Sequence, residues 1–145
     1  ENSAAITINA VEGLSIGGGI GTNMNDTTDR TKEEDDLSTM FAVYTYGPVS
    51  VGYQKTEIDT EAANRDIEAE HYGISFAVNE NFSVSYGEHN VEFDQHASDQ
   101  ESKGVSASYT AGSMSFVLVN NKKDNAEGTA NADDEMVELK MIMAF

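Results

Sequence analysis

The strongest constraint on the fold of this chain is the strict alternation of apolar residues in its closing run, EMVELKMIMAF. The residues of one parity are all apolar: Val137, Leu139, Met141, Met143 and Phe145. The other parity includes Glu138 and Lys140. Because a β-strand points successive side chains to opposite faces, this run predicts a strand with one apolar face and one face mixed with charge.

The same alternation recurs along the chain, with small polar residues opposite the apolar ones. In FSVSYG (82–87) and VSASYT (105–110), serine and glycine alternate with valine, alanine and aromatic residues. The run 40–46 is apolar on both parities, so the sequence assigns it no face. Eight strands are predicted between Leu14 and Phe145, and a ninth at AITIN (5–9). The pattern predicts an all-β, antiparallel up-and-down meander.

Two kinds of connection alternate along this meander. Short turns are predicted near 10–13, 46–49, 79–81 and 110–112, from the turn residues AVEG, YGPV, NEN and TAG. Longer polar loops are predicted near 25–38, 57–70, 92–103 and 122–135. The regular spacing favours a single segment over 1–145, with all short turns at one end of the sheet.

Charge is concentrated at the other end. The four loop segments carry net charges of −4, −5, −3 and −3, so −15 of the formal net charge of −18 lies in them. A polyanion repels nucleic acid, which excludes nucleic acid as a partner. Cysteine is absent, and no apolar run reaches the roughly 18 residues that a membrane-spanning helix requires.

The composition of the polar face separates a soluble sandwich from a transmembrane barrel. A soluble sheet shows charged residues to water, whereas the polar face here is mostly serine and glycine, which suit a wet lumen. Aromatic residues also recur near the short turns, as in the interfacial girdle of membrane barrels. The predicted girdle consists of Tyr46, Phe82, Tyr109 and Phe145. A soluble β-sandwich remains an alternative.

Several phrases resemble one known family. EHYGISFAVNENFSVSYGEHNVEF (70–93) and GVSASYTAGSMSFVLVNN (104–121) are similar to the C-terminal halves of general porins from marine alphaproteobacteria. The closing run resembles the C-terminal signal of outer-membrane proteins that the barrel-assembly machinery reads; its residues here are Val137, Leu139, Met141, Met143 and Phe145. The resemblance extends from about Ile6 to Phe145 and implies a transmembrane β-barrel in the outer membrane of a Gram-negative bacterium.

The resemblance also implies an arrangement in the membrane. The short turns would be periplasmic, the acidic loops extracellular, and the apolar parity would face outer-membrane lipid. The lumen would be lined by the opposite parity: Ser83, Ser85, Ser106, Ser108, Thr110, Glu138 and Lys140. Because nine strands are an odd number, we expect this chain to be the C-terminal half of a barrel of about sixteen strands. The family implies a homotrimer, whose pore-narrowing loop would lie outside this chain.

Residues that could carry other chemistry are few. His71, His89 and His96 are scattered, and Asp94 with His96 is only loosely similar to the rim pairs of outer-membrane proteases. No second acidic pair can be assigned to it, so no catalytic residue is predicted and the chain is not expected to be an enzyme. The acidic loops offer oxygen ligands for a weak Ca²⁺ site, at Asp124, Glu127, Asp133 and Asp134, without the ligand order of an EF-hand. No other cofactor is expected.

The sequence therefore predicts a passive aqueous channel for small hydrophilic solutes and ions, with a preference for cations because acid is concentrated near its mouths. The alternative is a small outer-membrane barrel that acts through its acidic loops as an adhesin, a receptor or a structural protein.

Overall fold

The chain forms one sheet of nine antiparallel strands. The structure, a computed structural model, describes residues 2–26, 32–61 and 65–143, with the backbone alone at 24–26 and 32–34. The strands are β1 (Asn2–Val11), β2 (Leu14–Asp26), β3 (Lys32–Tyr46), β4 (Val49–Thr60), β5 (Ile67–Asn79), β6 (Phe82–Phe93), β7 (Gln100–Ala111), β8 (Met114–Asp124) and β9 (Asp134–Met143). Among these described residues, no helix is long and apolar enough to cross a membrane.

Each strand pairs with its neighbours in sequence, so the order in the sheet is β1 through β9. This order confirms the antiparallel up-and-down arrangement that the alternation predicts. Within the described residues, β1 and β9 each have one partner strand and one free edge.

The strands extend further into the acidic segments than the sequence predicts. Strand β2 continues to Asp26 and β3 begins at Lys32, and the other three predicted loops shrink to 61–66, 94–99 and 125–133. The predicted bounds 25–38, 57–70, 92–103 and 122–135 are therefore wrong. Backbone hydrogen bonds hold a ladder together whatever its side chains, so the pairing continues through charged residues even where the register places Glu57 opposite Glu68 and Asp36 opposite Asp59. Lys55 offsets part of this charge by an ion pair with Glu68 on the next strand, with Nζ 2.8 Å from Oε1.

At the opposite end, two-residue turns join the strands. Gly13, Gly47 and Gly112 have φ values of +78°, +55° and +60°, which L-residues with side chains rarely adopt. The third turn contains no glycine; instead, the side-chain oxygen of Asn79 accepts hydrogen bonds from the backbone N–H of Asn81 (2.9 Å) and Phe82 (3.0 Å). These turns lie in or beside the four segments in which the sequence predicts them.

The register gives the sheet two different faces. Because paired residues lie on the same side, the alternating pattern carries through all eight strand pairs. We call the face that carries Ile6, Ile16, Val51, Ile74 and Leu139 the apolar face. The face that carries Ser83, Ser85, Ser106 and Ser108 is called the serine face.

The register also assigns strand β3, which the sequence left open. Met40, Ala42 and Tyr44 lie on the apolar face because they pair with Gly18, Ile16 and Leu14. Phe41 lies on the serine face opposite Gly17, where a Cβ on Gly17 would stand 2.7 Å from its ring.

The sheet has almost no hydrophobic core of its own. Among the described residues, Val91 is the only buried apolar side chain, with 7% of its surface exposed. Most of the large apolar side chains on the apolar face are exposed, including Leu139 at 71% and Ile20 at 68%. Burial of apolar surface is the main favourable term in folding, so this face requires a cover that the chain does not supply itself.

Candidate functional site

The serine face carries ladders of hydroxyl groups that pair across the strands. The Oγ atoms of Ser83 and Ser108 lie 2.7 Å apart, and those of Ser85 and Ser106 lie 2.8 Å apart. Thr110 makes a similar contact of 3.0 Å with Ser115. All five predicted lining residues of β6 and β7 therefore share one face, and their hydroxyl groups form a small, uncharged and hydrogen-bonded surface.

The two remaining predicted lining residues lie on the same face at the end of the sheet. Glu138 pairs with Val119 and Lys140 pairs with Val117 across β8 and β9. The Lys140 Nζ lies 2.9 Å from Glu138 Oε2, so the two charges neutralise each other. This pair adds polarity to the serine face without adding net charge.

A row of glycines, which the sequence analysis missed, crosses the serine face between two polar rows. Gly52, Gly73, Gly87 and Gly104 are successive register partners on β4, β5, β6 and β7. We call this line the glycine row. The serines on its turn side continue the hydroxyl ladder, because Ser75 is the partner of Ser85. The alternation of side chains along each strand places each glycine on the serine face. Only the register shows that all four lie in one line across the strands.

On the loop side of the glycine row lies a pair of stacked histidines. His71 and His89 are register partners, and their ring centroids lie 3.9 Å apart with an angle of 7° between the planes. Ser102 and Lys123 continue this row on β7 and β8. A cleft of about 510 Å³ is lined by all four residues together with Gly87 and Gly104. Eighteen positions along the chain separate the two histidines, which therefore look scattered in the sequence although the register brings them into contact.

The apolar face is divided into an apolar zone near the short turns and a charged zone near the loops. On β5, for example, Phe76, Ile74 and Tyr72 are followed on the same face by Glu70 and Glu68. Strands β4, β6, β7 and β8 repeat this order. The height at which polarity changes is similar from β4 to β7, so the apolar zone forms a continuous band.

Three of the four predicted girdle residues lie at the turn end of this band. Tyr109 is the register partner of Phe82, and Tyr46 is the partner of Val49 beside the second turn. Tyr46 is 75% exposed. Phe145 lies outside the described residues.

A second row of aromatic residues, which the sequence analysis did not single out, lies at the other edge of the band. The Tyr53 and Tyr72 hydroxyl groups donate to the two carboxylate oxygens of Glu70, at 2.7 and 2.8 Å. The Tyr86 hydroxyl donates to Glu88 at 2.9 Å. We call these residues the tyrosine–carboxylate row. Its signal in the sequence is an acid and a tyrosine separated by one residue, as in EHY (70–72) and YGE (86–88).

The residues of the predicted assembly signal lie along the apolar face of the edge strand β9. Val137, Leu139, Met141 and Met143 pair with residues of β8 on that face and are exposed. The fifth residue of the signal, Phe145, lies outside the described residues. Recognition by the assembly machinery stays a prediction.

The β8–β9 loop is well defined and docks on the β6–β7 connection. The Asn125 side-chain amide donates to the Asp99 carbonyl oxygen (3.2 Å), and the Glu127 N–H donates to the side-chain oxygen of Gln100 (3.0 Å). Asn125, Glu127 and Asn131 all have positive φ values, which are common for asparagine and uncommon for glutamate.

The acidic residues that were predicted as Ca²⁺ ligands are engaged separately in this loop. Asp124 forms an ion pair with Lys122 (2.7 Å), and Asp133 accepts a hydrogen bond from the Asn125 N–H (3.2 Å). No three acidic or histidine side chains within the described residues come together as a metal site. Weak Ca²⁺ binding by Asp124, Glu127, Asp133 and Asp134 stays a prediction.

Asp94 and His96, which are loosely similar to the rim pairs of outer-membrane proteases, both contact neighbouring residues of the loops. The Asp94 N–H donates to the Asp66 carbonyl oxygen (3.1 Å), and the His96 ring packs edge-on against Phe93 with centroids 5.4 Å apart. The His96 side chain also lies over Gly128 of the β8–β9 loop.

Solved structures match this arrangement of strands. The chain is similar to OmpT (in-vitro folded), an outer membrane protein of Vibrio cholerae, with a TM-score of 0.68 and 14% sequence identity over 97% of this chain and 54% of that one. The fold is that of an outer-membrane β-barrel. A second structure, of outer-membrane expressed OmpT of Vibrio cholerae, matches with a TM-score of 0.60 and 15% identity over 94% of this chain and 52% of that one.

The chain thus spans about half the length of the solved proteins that it matches. No family model matches its sequence. No curated protein matches it either. The likeness is therefore one of fold, and it agrees with the outer-membrane barrel that the closing run and the hairpin phrases predict.

Proposed function

We propose that this chain forms part of the wall of an outer-membrane porin, a passive aqueous channel for small hydrophilic solutes and ions. The apolar face contacts lipid and the serine face lines the lumen. The barrel-assembly machinery inserts the protein, which works as a homotrimer. No bond in a solute is made or broken, so the chain acts by providing a wet path through the membrane.

The observation that carries this proposal is the contrast between the two faces of one sheet. A single layer of strands presents an exposed apolar band on one side and paired hydroxyl groups and glycines on the other. A sheet that separates lipid from water needs this division. Small side chains on the inner face leave the interior open, whereas a barrel without a channel fills its interior with bulky side chains.

The charge distribution supports a preference for cations. The serine face near the turns is uncharged or internally neutralised, as at Glu138 and Lys140, while acidic residues dominate the loop end of the sheet. Such an excess raises the local concentration of cations at the mouth of a channel and lowers that of anions.

Conductance of the full-length protein in planar lipid bilayers tests the proposal. We expect stable ion-conducting steps and a reversal potential that favours K⁺ over Cl⁻ in a salt gradient. Replacing Ser85 and Ser106 by leucine should lower the conductance per channel because bulk then enters the lumen, whereas replacing Val84 and Ala107 by leucine on the apolar face should not. A protein without an ion-permeable state, or one that strongly prefers anions, would contradict the proposal.

One observation favours the alternative, in which the barrel binds a partner through its loops. The β8–β9 loop is fixed by contacts to Asp99 and Gln100 and carries three non-glycine residues with positive φ, as a preformed binding surface would. Replacing residues 126–132 with a short glycine linker distinguishes the two functions. Conductance that survives this replacement, while adhesion of the cells to a surface or partner is lost, would favour the binding function.

A further inference from the structure

The backbone conformation and the neighbouring atoms do not require glycine at the two central positions of the glycine row, Gly73 and Gly87. None of its four glycines has a positive φ. A Cβ on Gly73 would come no closer than 4.0 Å to another residue, and one on Gly87 would make an ordinary contact of 3.5 Å with a carbonyl oxygen. Glycine in a strand costs stability relative to a residue with a side chain. An alanine would therefore fit at both positions. Because glycine has no side chain, the serine face stays open at these two positions.

The loop-side border of this open line carries nitrogen donors. His71 and His89 present two imidazole rings side by side, and Lys123 follows on the same register row beyond Ser102. At the β7 end, the Asn121 side chain leans over Gly104, since a Cβ on that glycine would collide with its amide oxygen. Imidazole and ammonium groups donate hydrogen bonds, whereas the Asn121 amide oxygen that faces Gly104 accepts them.

Lys123 differs from the other lysines whose side chains the structure describes. Lys55, Lys103, Lys122 and Lys140 each form an ion pair with a carboxylate. Lys123 forms none with any described residue, although Asp134 is its register partner on β9. Asp134 and Glu88 also line the cleft, but no ion pair with a described residue holds the Lys123 ammonium group, so this group is available to another ligand.

A second group on this border also lacks a partner. The Ser102 Oγ, between His89 and Lys123 in the register, is buried and forms no hydrogen bond. Buried polar atoms are nearly always hydrogen-bonded, and this hydroxyl, like the Asn90 side-chain oxygen, lacks a partner among the described residues.

We propose that the cleft between the glycine row and the His71–His89–Ser102–Lys123 border binds the anionic group, a carboxylate or a phosphate, of a small solute. Lys123 supplies the charge, the two imidazoles supply hydrogen bonds, and Gly87 and Gly104 let the solute approach the sheet. The inference rests on the proposed function, because it assumes that the serine face is the wall of a channel. The cleft would then be a binding site for solutes in that wall. The channel then admits cations freely and holds anionic solutes selectively at one place.

Equilibrium binding to the full-length protein in detergent micelles tests the site without relying on conductance. The probes are inorganic phosphate and succinate, measured by calorimetric titration at pH 7. We expect saturable binding of at least one probe, and Lys123→Gln should weaken it about tenfold or more, the effect of losing a hydrogen bond to a charged group. Lys140→Gln is the matched control: this lysine lies on the same face but is neutralised by Glu138, so its loss should leave binding unchanged.

Further variants separate the rest of the site from the fold. His71→Gln together with His89→Gln should weaken binding, and Gly87→Val should weaken it by filling the row. Gly73→Ala should leave the yield of folded protein unchanged. Loss of folded protein in Gly73→Ala would show that the glycines serve the backbone and would overturn the inference.

The outcomes for the site and for the channel are separable. Saturable binding that Lys123→Gln abolishes supports the site even in a protein that does not conduct. Conductance without saturable binding of either probe, or equal binding in Lys123→Gln and Lys140→Gln, overturns the site while the channel stands. The source of the anionic group follows from which of the two probes binds.

Discussion

At the residue scale, the tyrosine–carboxylate row shows how the edge of the apolar band is fixed. Tyrosine has an apolar ring and a polar hydroxyl, so it suits a boundary between two media. Here the hydroxyl groups of Tyr53 and Tyr72 both donate to Glu70, which ties β4 to β5 at the height where the face becomes charged. A single carboxylate thus positions two rings.

Replacing Glu70 by glutamine should lower the temperature at which the barrel unfolds. A glutamine side chain has one carbonyl oxygen in place of two charged oxygens, so both tyrosine hydrogen bonds cannot persist at their present strength. This unfolding temperature can be measured by gel electrophoresis of samples heated to increasing temperatures, in which the folded and unfolded forms run as separate bands. Glu92→Gln, on the same face, is the control and should unfold at the wild-type temperature. Equal unfolding temperatures for Glu70→Gln and the wild type would contradict the role assigned to this row.

The turn glycines provide a matched pair for a second test. Gly13 and Gly112 both have positive φ, but a Cβ on Gly13 would collide with the Thr45 carbonyl oxygen, whereas one on Gly112 would meet nothing within 4 Å. Alanine at Gly112 should cost about 1–2 kcal/mol, the usual cost of the left-handed conformation. Gly13→Ala should cost more because strain and collision add. Equal unfolding free energies for the two variants would show that the turn moves freely away from β3.

At the scale of the strand, β9 combines two properties that can be separated by mutation. Its alternate apolar residues lie on the exposed apolar face of the sheet. The last apolar residue of the same parity is Phe145, the predicted assembly determinant. We expect stability in the membrane to depend on the middle of the strand, and the predicted assembly signal to act through its end.

A charge in the middle of β9 should therefore destabilise the folded protein in lipid. Leu139→Arg should cost about 2–4 kcal/mol if this position lies near the bilayer midplane. Glu138→Arg puts the same side chain on the serine face and should cost less. Denaturant titration of the protein refolded into lipid vesicles measures both. A smaller loss for Leu139→Arg than for Glu138→Arg would reverse the assignment of the two faces.

Phe145→Ser should have the opposite profile. We expect a lower amount of protein in the outer membrane but little change in the stability of the molecules that do assemble, because the end of the strand is read before folding is complete. Immunoblots of membrane fractions, together with denaturant titration of the purified variant, check both parts. Wild-type levels in the membrane would disprove the signal.

At the scale of the whole molecule, the absence of a core governs behaviour. One buried apolar side chain among the described residues cannot offset the entropy lost when nine strands are ordered, so the apolar band must be buried in lipid or detergent. The open edges of β1 and β9 likewise require partners wherever they meet hydrocarbon, because lipid offers no hydrogen bonds.

The full-length protein should accordingly remain with the membrane pellet after an alkaline carbonate wash and enter solution only with detergent. The covering of the apolar band by lipid is the physical reason, since carbonate releases proteins that are held by charge alone. A peripheral protein of the same cells serves as the control for release. Recovery of the protein in aqueous buffer without detergent would favour a soluble β-sandwich instead.

The sequence by itself determined the strands, the turns and the composition of the two faces. Alternation is a local property, and a strand fixes the side of each residue without reference to its neighbours. Ser85 and Ser106 could therefore be assigned to one face from residue parity alone, and Phe82 and Tyr109 to one edge of the band from their nearness to the short turns. The turn at Gly13 was likewise recognisable from its local residues.

Only the tertiary structure decided which residues of different strands are neighbours in the sheet. Register is set by the pairing of distant segments, so the His71–His89 stack, the glycine row and the two tyrosines on Glu70 cannot be obtained from spacing along the chain. The same pairing extended the strands into acidic segments that the sequence assigned to loops, because backbone hydrogen bonds form whatever the side chains, and Lys55 offsets part of the charge by pairing with Glu68. It also assigned β3, whose apolar residues on both parities were ambiguous until Phe41 was found opposite Gly17.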